Sequence, residues 1–163
     1  YPTWEHDMSM REAIGLSAVP IFRELARRIG LERYRDLLAR LDYGNRDPGT
    51  VVDRFWLDGP LAISAMEQTR FLARLAKKEL PMSTRAQGIV ADMVRIEARD
   101  GRVLHAKTGV CASCRPMVGW WVGWVAHGEE VTAFALNMDL GSMADAPKRM
   151  AIGRAILGDL GVY

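Results

Sequence analysis

The 163-residue chain contains no run of about 18 consecutive apolar residues, the length a helix needs to cross a bilayer, although 49% of its residues are apolar. A membrane span is therefore excluded, and a soluble chain with a substantial core is expected. The opening Tyr1-Pro2-Thr3-Trp4-Glu5 has neither the basic n-region nor the apolar h-region of a signal peptide, and tyrosine is not an initiator residue, so a processed or truncated chain is expected. Charge of one sign is scarce too. The 22 Lys and Arg against 20 Asp and Glu leave a net +2, scattered along the chain, which argues against nucleic acid as a partner. Cysteine is nearly absent: the two present, Cys111 and Cys114, form a single C-x-x-C. That spacing suits a redox pair, half a zinc site or a local disulfide. No further soft ligands cluster near it, so a local structural pair is preferred and no metal is expected. His6, His105 and His127 are widely separated and suggest neither a metal site nor a triad. Repeats, low-complexity stretches and linkers are also lacking, which predicts a single domain over 1–163.

What is present divides at about residue 100. Between Met10 and Ile29, the residues Ile14, Val19, Phe22, Leu25, Ala26 and Ile29 recur at helical spacing, and Gly30 follows where a C′ glycine would stop a helix. One helix is predicted there and a second, shorter one over Leu31 to Leu41. Tyr43 to Gly49 is a cluster of turn formers. Ser64 with Glu67 three residues on is a capping box opening a helix towards Leu75, and another helix is predicted from about Thr84 to Ile96. After the Asp100-Gly101 turn, three stretches read as strands: Arg102 to Thr108, Gly119 to Ala126 and Val131 to Met138. The short polar connection His127 to Glu130 predicts that the last two pair antiparallel. Met150, Ile152, Ala155 and Ile156, beyond Pro147, suggest a closing helix. The reading is α+β: a mainly helical region over 1–100, then antiparallel strands and a terminal helix over 101–163.

The chemistry is carried by Lys107-Thr108-Gly109 at the end of a predicted strand. A cation beside a hydroxyl, with a glycine that lets a ligand approach the backbone, suits a carboxylate. Alone, the triplet is a weak signal and far more often describes a solvated strand end. Its company changes that. Ser17-Ala18-Val19, Tyr43-Gly44-Asn45, Phe55-Trp56-Leu57-Asp58-Gly59, Lys107-Thr108-Gly109, Trp120-Trp121-Val122-Gly123-Trp124 and Asn137-Met138-Asp139 follow one another in that order. The series closely resembles the class D serine β-lactamases, the oxacillinase family, whose marks are S-x-V, Y-G-N, a tryptophan segment and K-T-G. The likeness runs from about Trp4 to about Leu157.

The resemblance implies a serine β-lactamase and penicillin-binding-protein-like fold, and an activity: hydrolysis of the β-lactam ring of penicillin-type antibiotics through a serine acyl-enzyme, giving antibiotic resistance, in the bacterial periplasm. It implies that Lys107, Thr108, Gly109 and Arg149 bind the substrate carboxylate, with Lys148 and Arg154 as competitors of Arg149, and that the Val110 N–H belongs to the oxyanion hole. Ser17 with Lys107 would relay protons. Val19, Trp56 and Leu57 would form the pocket of a lysine carboxylated by carbon dioxide or bicarbonate, with Trp56 donating its indole N–H. No other cofactor and no metal is implied. Each residue also has a plainer reading: Ser17 as a small helix residue, Arg149 as a surface residue of the last helix, Trp56 as a core aromatic. The Y-G-N motif is read as architectural, and the tryptophans after Gly119 as core and sheet-face residues.

The family's central motif is lacking. No serine here stands in S-x-x-K: Ser9, Ser17, Ser64, Ser83, Ser113 and Ser142 are followed three residues on by Glu12, Pro20, Glu67, Ala86, Pro116 and Asp145. The nucleophile and the base are therefore expected on an upstream segment of the same protein, and this chain alone is expected to be inactive. The C-x-x-C directly after K-T-G is a second departure; if bridged, it would stiffen the loop beside Val110. The main rival is a β-lactam-sensing receptor domain that acylates without turnover, with a penicillin-binding transpeptidase as a weaker one. A homodimer stays open.

Overall fold

The computed structural model of the chain describes residues 2–163. Serines with hydroxyls free to cap begin two of the helices. Ser9 heads α1 (Met10–Gly15) and Ser64 heads α4 (Ala65–Ala76), each in a full capping box with Glu12 or Glu67. Between them lie α2 (Val19–Ile29) and α3 (Leu31–Leu41), separated by Gly30 at φ 83°. Ser83 caps α5 (Thr84–Met93). Four strands follow, β1 (Arg95–Arg99), β2 (Arg102–Cys111), β3 (Met117–His127) and β4 (Glu130–Leu140), in one antiparallel sheet of order β1-β2-β3-β4, and α6 (Lys148–Asp159) closes the chain. The fold is α+β, as read from the sequence.

Two expectations need correction. The helix predicted over Met10 to Ile29 is broken into α1 and α2 at Leu16-Ser17-Ala18. Proline explains it: Pro20 has no N–H for the Leu16 carbonyl four residues back, and its ring would clash there, whereas near the start of a new helix it is tolerated. The helix predicted to Ile96 ends at Met93 and gives way to β1, so the sheet begins before residue 100. All five residues of β1 are exposed, and an edge strand wet on both faces leaves no apolar alternation to read. Its hairpin turn was visible as Asp100-Gly101, both at positive φ (50° and 75°), the geometry of a tight strand-to-strand turn.

The pleat sends alternate side chains of the sheet to two cores. Leu104, Ala106, Trp121 and Val125 pack with Leu157 of α6 on one face. On the other, Trp124 packs with Leu72 and Leu75 of α4 and with Leu80, and His105 stacks on Trp124 at 4.5 Å while its Nδ1 meets the Ala91 carbonyl at 2.8 Å. The buried Trp121 and Trp124 are thus core residues on opposite faces. The contact between α6 and the sheet is close at Gly153, where a Cβ would stand 2.2 Å from Trp121 Cε3. Gly153→Ala is therefore expected to destabilise the fold by roughly 1–3 kcal/mol through overpacking. Urea denaturation reads this, and an unchanged midpoint would mean that α6 does not rest on the indole.

Candidate active site

The break between α1 and α2 is built like a helix terminus. The Ser17 N–H bonds the Ile14 carbonyl (3.2 Å) and the Ala18 N–H bonds the Ala13 carbonyl (2.8 Å), with Ser17 at φ 51° in the left-handed position that glycine usually takes. A serine there carries backbone strain, of a kind concentrated at functional positions. The turn lifts the Ser17 hydroxyl out of the helix and towards β2, where it lies 2.5 Å from Lys107 Nζ, ninety positions on in the sequence. Lys107 also donates to the Thr108 carbonyl at 2.9 Å. Burial lowers the Lys107 pKa, and the nearby Arg149 charge lowers it further, so the amine gives up its proton more readily than an exposed lysine does.

Arg149, the second residue of α6, is buried at 8% exposure. Its Nη1 donates to the Ala146 carbonyl at 2.5 Å, but its Nε has no hydrogen-bond partner among the described residues. Burial lowers its pKa as well. A buried guanidinium with an unanswered donor is ready for an anion. By contrast, the competitor Lys148 is paired with Asp145 at 2.6 Å, and Arg154 is paired with Glu97.

The edge of β2 beside Lys107 is open. β1 pairs with β2 only over Arg102 to His105, and the Ala106 N–H still reaches the Val94 carbonyl. Beyond that, no strand among the described residues covers the outer edge. Backbone groups alternate sides along a strand and the β2–β3 register runs unbroken to Cys111, so the Val110 N–H points to the same outer edge as that of Ala106. Gly109 on this edge is exposed.

The turn carrying Trp56 is fastened from behind. Asp53, missed in the sequence, is buried and accepts from Arg23 (3.0 and 3.2 Å) and Arg27 (2.6 Å) of α2. Burial pushes its pKa up, but the hydrogen bonds and charges of the two arginines outweigh this and leave it lowered. Arg23 and Arg27, one helical turn apart on α2, share a face, but nothing in the sequence joins that pair to a loop carboxylate. Phe55 packs edge-on against Tyr34 and Trp56, with centroids 4.8 and 5.0 Å away. Trp56 and Leu57 are half-buried, as is Val19 at the start of α2. Gly44 sits at φ 54° where a Cβ would strike the Ala62 carbonyl, and Asn45 bonds the Pro60 carbonyl (2.8 Å) and the Ala62 N–H (3.1 Å); the Y-G-N loop thereby ties this turn to the start of α4. The structure brings Ser17 against Lys107, which also holds the Thr108 carbonyl, with Arg149 close enough to act on Lys107. An apolar trough of about 200 Å³ runs beside them, lined by Ile14, Gly15, Met93, Val94, Ala106 and Lys107 among others.

A strained serine lies against a half-buried lysine on an open strand edge, and residues 1–158 match the penicillin binding protein transpeptidase domain. Within that class the relatives are specific. The chain is 41% identical over 162 residues to β-lactamase OXA-5 of Pseudomonas aeruginosa, covering 98% of this chain and 61% of the relative. It is also 41% identical over 155 residues to β-lactamase OXA-48 of Klebsiella pneumoniae, covering 95% and 58%. Of solved structures, the class D β-lactamase FUS-1 (OXA-85) from Fusobacterium nucleatum subsp. polymorphum superposes with a TM-score of 0.96 at 38% identity, over 99% of this chain and 67% of that one. The class D β-lactamase YbXI from Nostoc gives 0.95 at 41% identity, over 100% and 69%. The chain belongs to the class D β-lactamase family, and it spans about three-fifths of the length of the curated relatives it matches (61% and 58%).

Proposed function

We propose that the protein to which this chain belongs hydrolyses the β-lactam ring of penicillin-type antibiotics and so confers resistance, acting in the periplasm, and that the S-x-x-K serine and lysine come from a segment outside this sequence. The observation that carries the reading is the 2.5 Å approach of Lys107 Nζ to Ser17 Oγ at the open edge of β2. That segment would lay an apolar face in the trough beside Ile14 and Met93, next to Lys107.

Each resident group then has a task. Arg149, with its unanswered Nε, and Lys107 and Thr108 hold the carboxylate of the drug, and a guanidinium fork suits two carboxylate oxygens. The Val110 N–H points at the β-lactam carbonyl oxygen as negative charge develops there. When the serine oxygen bonds the carbonyl carbon and the amide C–N bond breaks, the departing nitrogen needs a proton. Ser17 Oγ delivers it and is resupplied from Lys107, whose lowered pKa makes it a ready donor. The half-buried Val19, Leu57 and Trp56 suit a carboxylated lysine: apolar walls favour the neutral amine that takes up carbon dioxide, and the Trp56 indole N–H has no acceptor among the described residues. The carboxylated lysine would supply the base, first for the serine and then for the water that cleaves the ester.

Time-resolved intact mass of the full-length protein mixed with excess benzylpenicillin tests the reading. Gain of one drug mass followed by its loss as drug is consumed supports it. A persistent adduct would instead make the protein a β-lactam sensor, and no adduct would end the proposal.

A further inference from the structure

The C-x-x-C is bridged: Cys111, the last residue of β2, forms a disulfide with Cys114 and turns the connection to β3 into a small ring. Arg115 fastens that ring from outside, its Nη1 donating to the Ala112 carbonyl at 3.1 Å and the Cys114 carbonyl at 2.8 Å. The ring faces the Trp56 turn. Cys111 Sγ lies 4.0 Å from the Leu57 carbonyl oxygen, and Ser113 Oγ donates to Asp58 Oδ1 at 3.4 Å. Asp58 is itself held by Arg54 of the same turn, through Nε at 2.7 Å and Nη2 at 2.5 Å. The turn is therefore gripped on two sides. Behind it stand Asp53 with Arg23 and Arg27, and Phe55 with Tyr34. In front stands the ring, one residue beyond Val110.

A connection without the bridge would sample many shapes, whereas a disulfide closing so short a loop leaves few. We propose that the Cys111–Cys114 ring is a positioning element: it holds the Trp56 turn against the Lys107 to Val110 edge and so fixes the direction in which Trp56 donates to the carboxylated lysine. The inference rests on the function proposed above for its catalytic consequence, but not for its mechanical one.

The test uses the full-length protein in two variants, Cys111→Ser with Cys114→Ser, and Ser113→Ala, which leaves the bridge intact. Hydrogen exchange reads the turn through the Leu57 and Asp58 amides, which bond the Arg54 carbonyl at 2.8 and 3.1 Å. Both amides are expected to exchange about tenfold faster in the double variant. The bicarbonate concentration giving half-maximal kcat is expected to rise about tenfold, with kcat recovering at saturating bicarbonate. Ser113→Ala should move both in the same direction by less, and it decides the matter if the double variant does not fold. Unchanged exchange overturns the proposal. So does faster exchange with an unchanged bicarbonate requirement, since the ring would then hold a turn that does not govern the lysine. If the unaltered protein hydrolyses no β-lactam, the proposed function fails, while the exchange measurement still decides whether the ring holds the turn.

Discussion

Replacing Ser17 by alanine in the full-length protein is expected to lower kcat/KM for benzylpenicillin by roughly 10²–10⁴-fold, the range of a positioned proton-transfer group. The substitution leaves the backbone alone, because serine and alanine carry the same Cβ and meet the same strain at φ 51°. What it removes is the oxygen 2.5 Å from Lys107 Nζ. One hydrogen bond is worth about 0.5–1.5 kcal/mol, so the variant should stay folded. Ser17→Gly sharpens the experiment. It also lacks the hydroxyl but accepts the left-handed conformation, and it should be about 1 kcal/mol more stable than Ser17→Ala and equally inactive. Activity that followed stability across this pair would show that Ser17 matters only for the turn. Activity kept in both would remove Ser17 from the mechanism.

How far the site was legible follows the range of the forces that make it. Local signals were read well: the bounds of α3, the Ser64 and Glu67 capping box, the Gly30 stop and the Gly128-Glu129 hairpin depend on residues within a turn of one another. The break at Ser17 also has a local cause in Pro20, but Ile14, Val19 and Phe22 continue the apolar stripe across it, and so long a stripe masks a single proline. β1 gave no signal because a strand exposed on both faces needs no pattern. The identity of Ser17 and Lys107 came through likeness to a family, since nothing in their own neighbourhoods joins residues ninety positions apart; register and fold do that. Asp53 and the Asp58–Ser113 contact were missed for the same reason. Their partners lie on other elements, and a carboxylate in a loop reads as solvated until a fold places arginines or a hydroxyl beside it.

Arg149→Ala is expected to lower kcat/KM for carboxylate-bearing β-lactams by roughly 30- to 1000-fold, as removing one member of a buried, hydrogen-bonded charge pair commonly does. The loss should fall mainly on KM, because the carboxylate is held alike before and during the reaction. Lys107 should respond in the opposite sense. Burial and the Arg149 charge both lower its pKa, so removing the arginine leaves burial alone and the pKa rises towards the ordinary lysine value. The cationic form of Lys107 then survives to higher pH, and whatever anion binding remains persists further into alkali than in the unaltered protein. Stability follows the same logic. Between the lowered folded pKa and the ordinary one, the unfolded chain binds more protons, so stability rises with pH across that window. In the variant the window shortens from its lower end, and the rise begins at higher pH. An NMR titration of lysines labelled at Cε reads the shift directly. A Lys107 pKa unmoved by the loss of Arg149 would mean that the two charges are too far apart to share one carboxylate. Arg149→Lys separates charge from shape: it should keep much of the lowering at Lys107 while losing the two-pronged grip, since an ammonium is a point charge where the guanidinium is a fork. Binding restored by lysine would show that Arg149 acts through its charge alone.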